Sequence, residues 1–147
     1  MELNLESEVL TIGQDVDLVS PCTDTSFKCI FADDTPESNE TLKSFLTDFL
    51  DKEVIEVKLL PNEPVVGGIE DKAIRFDVQC TFNDNERANI EMQIQPGEYE
   101  LERAEYYLSR LFVSQPLKGK EVNYGEIKHS YQITIVLNDS LIKTQKT

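Results

Sequence analysis

Asp77, Glu91 and Gln93 are the residues whose types and spacing suggest chemistry. They lie in residues 75–95, RFDVQCTFNDNERANIEMQIQ, which read as two strands joined by a tight turn. Phe76, Val78, Cys80 and Phe82 alternate with Asp77 and Gln79 on the first strand. Ile90, Met92 and Ile94 alternate with Glu91, Gln93 and Gln95 on the second. Period-two alternation marks a strand with one face toward a core. Directly paired residues of an antiparallel ladder point to the same side, so apolar must meet apolar. A two-residue turn at Asp84 and Asn85 would pair Asp77 with Met92 and bury the wrong face. A three-residue loop over 83–85 pairs Asp77 with Glu91, and a loop over 84–86 pairs it with Gln93. Either register brings Asp77 and Glu91 within bridging reach of one cation. Two hard oxygen ligands on rigid strands, with open positions for water and phosphate, suit Mg²⁺. The same pattern is also that of an ordinary solvated sheet face, which is polar by default.

The surrounding elements must hold that hairpin. Residues 24–31, DTSFKCIF, predict a short helix with Asp24 as its N-cap and Phe27, Ile30 and Phe31 on one side. Thr35 followed by Pro36 opens a second helix. Its Leu42, Phe45, Leu46, Phe49 and Leu50 follow helical spacing as far as Asp51. Residues 54–60 form a β-rich run, and 61–68, PNEPVVGG, a turn-rich loop. After the hairpin a helix is expected over 98–114, with Ala104, Tyr107, Leu108, Leu111 and Phe112 along one side. A final strand follows at 131–137. Residues 1–20 are acidic and only weakly alternating, so an N-terminal arm is expected there, with one domain over 21–147.

Composition narrows the function. The single histidine, His129, leaves no multi-histidine zinc site and sits just before an apolar strand. Cys22, Cys29 and Cys80 contain no CxxC, which fits small buried hydrophobes in a reducing cytoplasm. No apolar run is long enough to cross a membrane, and the N-terminus lacks the pattern of a secretory signal. The net charge is −14. Residues 1–95 hold 21 acids and 7 bases, whereas 96–147 hold 7 of each. A polyanion must therefore approach the C-terminal part or a bound metal. Arg103 and Arg110, seven apart, share one helix face. They either meet phosphate or pair with acids such as Glu100 and Glu102. Lys118, Lys120 and Lys128 form a loose basic cluster that is either a nucleic-acid contact or a solvated surface.

Several segments occur together. They are Asp24, Phe27, Lys28 and Phe31; Asp71, Lys72 and Asp77; IEMQ at 90–93; Arg103, Tyr107 and Arg110; Gln115 and Gly119; and Tyr124. In this order the chain resembles the PD-(D/E)XK nuclease family transposases, which are related to the recombination-promoting nucleases. The resemblance implies an α/β, restriction-endonuclease-like αβββαβ core with a mixed central sheet flanked by helices. It implies Asp77 and Glu91 as ligands of Mg²⁺, with Mn²⁺ the alternative ion. It implies Gln93 as the third catalytic residue, at the place where the superfamily more often has lysine. DNA is the implied partner, with Arg103, Arg110, Lys118 and Lys120 as candidate contacts, and phosphodiester hydrolysis the implied reaction. Chains of this kind usually continue past the last strand, so this one is expected to be C-terminally short. The uncovered surface is then left to solvent or to a homodimer partner. The competing expectations are an inactive relic kept as a protein-interaction module, and an acidic mimic of DNA. Convergence of Asp77, Glu91 and Gln93 on one cleft separates the nuclease from both.

Overall fold

The computed structural model describes residues 23–61, 77–94, 96–117, 119 and 123–137. The expected arm at 1–20, residues 62–68 of the turn-rich loop, Cys22, Asp71, Lys72, Phe76, Gln95, Lys118 and Lys120 lie outside the described residues.

Helix α1 spans Asp24–Phe31 and α2 Pro36–Leu50. Thr23, rather than Asp24, caps α1 by accepting from the Ser26 amide at 3.1 Å. The hydroxyl sits one residue before the helix, where an unpaired N–H needs it, and Asp24 contributes its charge inside the first turn. Thr35 caps α2 in the same way, and Asp51 ends that helix in the left-handed region at φ 48°. Strands β1 (Val57–Leu59), β2 (Val78–Phe82) and β3 (Glu86–Ile94) follow. Helix α3 (Glu100–Val113), a 3₁₀ turn (Tyr124–Glu126) and β4 (Ser130–Leu137) complete the described chain. The sheet order is β1-β2-β3-β4, antiparallel except for the parallel β3–β4 pair that α3 connects. This is the mixed α/β sheet, with helices on both faces, expected of a restriction-endonuclease-like fold.

The hairpin takes the 83–85 loop. Val78 pairs with Ile90 and Phe82 with Glu86. Asn83 and Asn85 adopt φ of 46° and 60°, a region that asparagine tolerates better than most residues. Asn83 also ties the turn to the chain entering β1. Its side chain accepts from the Ile55 amide and donates to the Glu53 carbonyl, both at 2.9 Å.

One sheet face packs on α1 and α2. Phe27, Leu42 and Leu46 meet Val78, Cys80, Phe82, Ala88, Ile90 and Ile133 there. The opposite face differs from a solvated surface, because α3 lies over it and Gln79, Asn89 and Glu91 are buried. The expected apolar stripe of α3 is only partly inward. Leu111 is buried, while Leu108 and Phe112 are exposed. What α3 covers is polar, so polar side chains supply much of its inner contact. Cys80 is buried as expected, but Cys29 is exposed on the outer side of α1.

At the edge of the apolar face Glu86 is buried beside Phe82. Lys52 donates to it, and so does the Tyr131 hydroxyl at 2.9 Å. Burial pushes the Glu86 carboxyl up, but the two hydrogen bonds and the Lys52 charge outweigh it and hold it below its ordinary 4.5. That stability is complete above 4.5 and is lost as pH falls through the lower folded value. Tyr131→Phe is therefore expected to cost about 1 kcal/mol near pH 7, and the cost is expected to shrink as pH falls below 4.5 through the folded value. Urea unfolding across a falling pH series measures this, and a cost that grows towards acid would show that Glu86 is not the charged partner.

Candidate active site

β3 carries Arg87, Asn89, Glu91 and Gln93 on the face under α3, because alternate residues share a side. The parallel register with β4 sets Gln132 beside Asn89 and Thr134 beside Glu91. Asn89 donates to Gln132 Oε1 at 2.9 Å, and Gln132 Nε2 donates to Glu91 Oε2 at 3.3 Å. Arg103, in the first turns of α3, reaches down from above. Its Nη2 lies 3.6 Å from Glu91 Oε1, and its Nη1 lies 4.0 Å from Glu100. The Gln93 amide, set with its oxygen toward α3, accepts from both guanidinium nitrogens at 3.2 Å. The guanidinium also lies over the Tyr107 ring, 5.2 Å from its centre.

Asp77 immediately precedes β2, and the register that pairs Val78 with Ile90 carries it alongside Glu91. Burial raises the Asp77 carboxyl above its ordinary 3.8, and the charge of Asp24 adds to this. Lys28, the Met92 amide and Arg103 pull in the other direction. Glu91 is only 2% exposed, and burial pushes its carboxyl up to about 7. Arg103 opposes that shift, and the nearby Asp77 and Glu100 charges reinforce it. Two carboxylates thus share a poorly hydrated place with less than one full positive charge of compensation apiece.

The donor set fits a divalent cation. Glu91 Oε1 is buried and receives no hydrogen bond, so an oxygen with lone pairs to give stands beside Asp77. Among the described residues no three of His, Cys, Asp and Glu gather as ligands. A hard ion here would rest on two carboxylates and complete its shell with water, main chain and phosphate, as Mg²⁺ commonly does. Cys80 is no candidate nucleophile, because burial pushes its thiol up to about 12.

Asp77, Glu91, Gln93 and Arg103 are therefore neighbours in one polar layer. Arg110 lies farther along α3, stacked on Tyr106 with 5.9 Å to the ring centre. Lys28 pairs with Asp24 at 3.0 Å on α1, close enough to act on Asp77. His129 is an exposed residue just before β4. Gln132 is the participant that sequence reasoning missed. Its signal was present in YQITIVL, where Gln132 and Thr134 alternate against Tyr131, Ile133 and Ile135.

The family model described as PD-(D/E)XK nuclease family transposase matches residues 21–147. Neither the curated proteins nor the solved structures contain a match.

A carboxyl raised in the folded state favours the fold at pH below its unfolded value and loses that contribution as pH rises through the folded one. For Glu91 the window runs from 4.5 to about 7. Without metal, Glu91→Gln is expected to gain on the wild type by about 2 kcal/mol between roughly pH 5 and pH 8. Urea unfolding in a chelator reads the difference, and a constant gap would remove Glu91 as the strained acid.

Proposed function

The chain belongs to the PD-(D/E)XK nuclease family transposases, and from that membership we propose that it hydrolyses DNA phosphodiester bonds with Mg²⁺ held between Asp77 and Glu91. The observation that carries this reading is Glu91 itself. It is a buried carboxylate with an unbonded oxygen, set beside a second carboxylate under a polar layer. PD-(D/E)XK nucleases generally use a divalent metal, and Mn²⁺ is the natural substitute.

In this reading the ion supplies an acidified water and offsets the charge that develops on the phosphate. The protein's own groups do the rest. Gln132 holds Glu91 through Oε2, and Oε1, which receives no hydrogen bond and has only Arg103 at 3.6 Å, would be the oxygen offered to a bound cation. Arg103 keeps Glu91 company and fixes the Gln93 oxygen. The Gln93 NH₂ is then the available donor, suited to a phosphate oxygen or the attacking water. A neutral amide cannot supply the positive charge of a lysine, so more of the electrostatic work falls on the ion and on Arg103. Arg110 extends the same helix face, and DNA phosphates meeting this helix would find both guanidinium groups.

Cys29 and Cys80 are free thiols, in keeping with the reducing cytoplasm we assign to the protein. Among the described residues no helix is long and apolar enough to cross a membrane.

Plasmid nicking in Mg²⁺ or Mn²⁺ tests the assignment. Asp77→Ala and Glu91→Ala are each expected to abolish cleavage and to weaken Mn²⁺ binding by about tenfold or more in calorimetry. Metal should also raise the melting temperature of the wild type most strongly near pH 8, where both carboxyls are ionised. Cleavage that survives in both variants would overturn the reading.

A further inference from the structure

The polar face of β3 does not end at Glu91. Four residues earlier, on the same side, Arg87 opens into a pocket at the far end of the layer. Thr81 and Asn85 line one wall, Gln115 and Pro116 another, and Lys128 stands at the rim. The cavity measures about 560 Å³. Gln115 builds its wall, since its amide donates to the Lys128 carbonyl at 2.8 Å and accepts from the Lys128 amide at 2.9 Å.

Arg87 is half-buried, yet among the described residues its side chain makes one hydrogen bond, Nη1 to Ser114 Oγ at 2.7 Å. Ser114 is neutral and passes its own proton to the Leu111 carbonyl at 2.7 Å. Among the described residues no carboxylate forms an ion pair with Arg87. Burial without a counter-charge pushes its guanidinium below the ordinary value of 12.5. A guanidinium carries five donors in a planar fork, and most of these remain for a ligand. Lys128 adds a second cation, now paired with the exposed Asp84. Glu126 lines the pocket and Asp84 holds Lys128, so these two acids balance the two bases, and what the pocket offers an anion is the donors of a guanidinium that no described carboxylate engages.

We propose that this pocket binds a phosphodiester group of the nucleic-acid strand, flanking the one cleaved at Asp77 and Glu91, with Arg87 as its anchor and Lys128 at its rim. The proposal rests on the nuclease reading for the identity of the strand. Four β-residues separate Arg87 from Glu91 by about 13 Å, the span of a few nucleotides. One strand laid along the sheet face would therefore meet both.

The test is fluorescence anisotropy of a labelled duplex oligonucleotide with the full chain, in chelator, across a salt series. Arg87→Gln keeps a donor for Ser114 but loses the charge. It is expected to weaken binding about fivefold or more and to flatten the salt slope by about one. Lys128→Gln, at the half-buried rim, is expected to weaken it about twofold and serves if the first variant does not fold. Wild-type affinity and slope in the folded variants would overturn the proposal. Inorganic phosphate binding that is lost in Arg87→Gln while duplex binding stays as in the wild type would also overturn it, because the pocket would then serve a free phosphate. Mn²⁺ calorimetry on the same proteins separates the two readings. An Arg87 effect with no Mn²⁺ binding by the wild type leaves the phosphate pocket standing and removes the nuclease. Intact Mn²⁺ binding with no Arg87 effect does the reverse.

Discussion

The encounter of Arg103 with Glu91 is the constraint around which this fold is arranged. A carboxylate cannot be taken out of water without a partner, and one cation at 3.6 Å is incomplete compensation. The sheet therefore supplies further neighbours. Gln132 gives Glu91 a hydrogen bond, Asn89 orients Gln132, and Gln93 shares the guanidinium from below. Helix α3 is held over the sheet largely by this layer and by Leu111. That explains why its outer apolar residues do not join the core.

Much of this could be read in advance, and for stated reasons. The parity rule excluded the two-residue turn, since a one-residue slip would have turned Val78, Cys80 and Phe82 outward. It could not choose between 83–85 and 84–86, because both keep that parity. The choice is made by Asn83, whose side chain bonds Glu53 and Ile55 some 30 and 28 residues earlier in the chain. Helix α2 was legible because Thr35, Pro36 and the leucine and phenylalanine spacing all agree. The burial of the polar sheet face was not legible. Alternation reports that two faces differ, and it is silent on whether a helix with a polar underside will cover the second. Cys29 escaped for a related reason, since a short helix of eight residues can bury only one side.

The acidity of the chain takes on a more local meaning in the structure. The carboxylates at the site are few and tightly placed, and their pKa values are pushed apart from those of ordinary surface acids by burial. Elsewhere the described acids are mostly exposed, and a few are paired within a helix turn, as in Lys28 with Asp24 and Lys43 with Glu40. Exposed pairs of this kind contribute little stability. It is the excess of acids over bases, −14 in all, that sets the general potential against a polyanion.

The parallel pairing of β3 with β4 has a consequence for the order of folding. Glu91 and Gln132 are 41 residues apart, and α3 lies between their strands. The antiparallel hairpin can form from neighbouring chain, whereas the crossover must close a long loop before its contacts reward it. The hairpin alone sets Asp77 beside Glu91, but in water both acids would behave as ordinary surface carboxyls. Only when α3 and β4 dock do they become dehydrated and mutually strained. The dehydrated carboxyl pair is thus a property of the finished chain, acquired late, so incompletely folded protein carries the sequence motif without its strained acids.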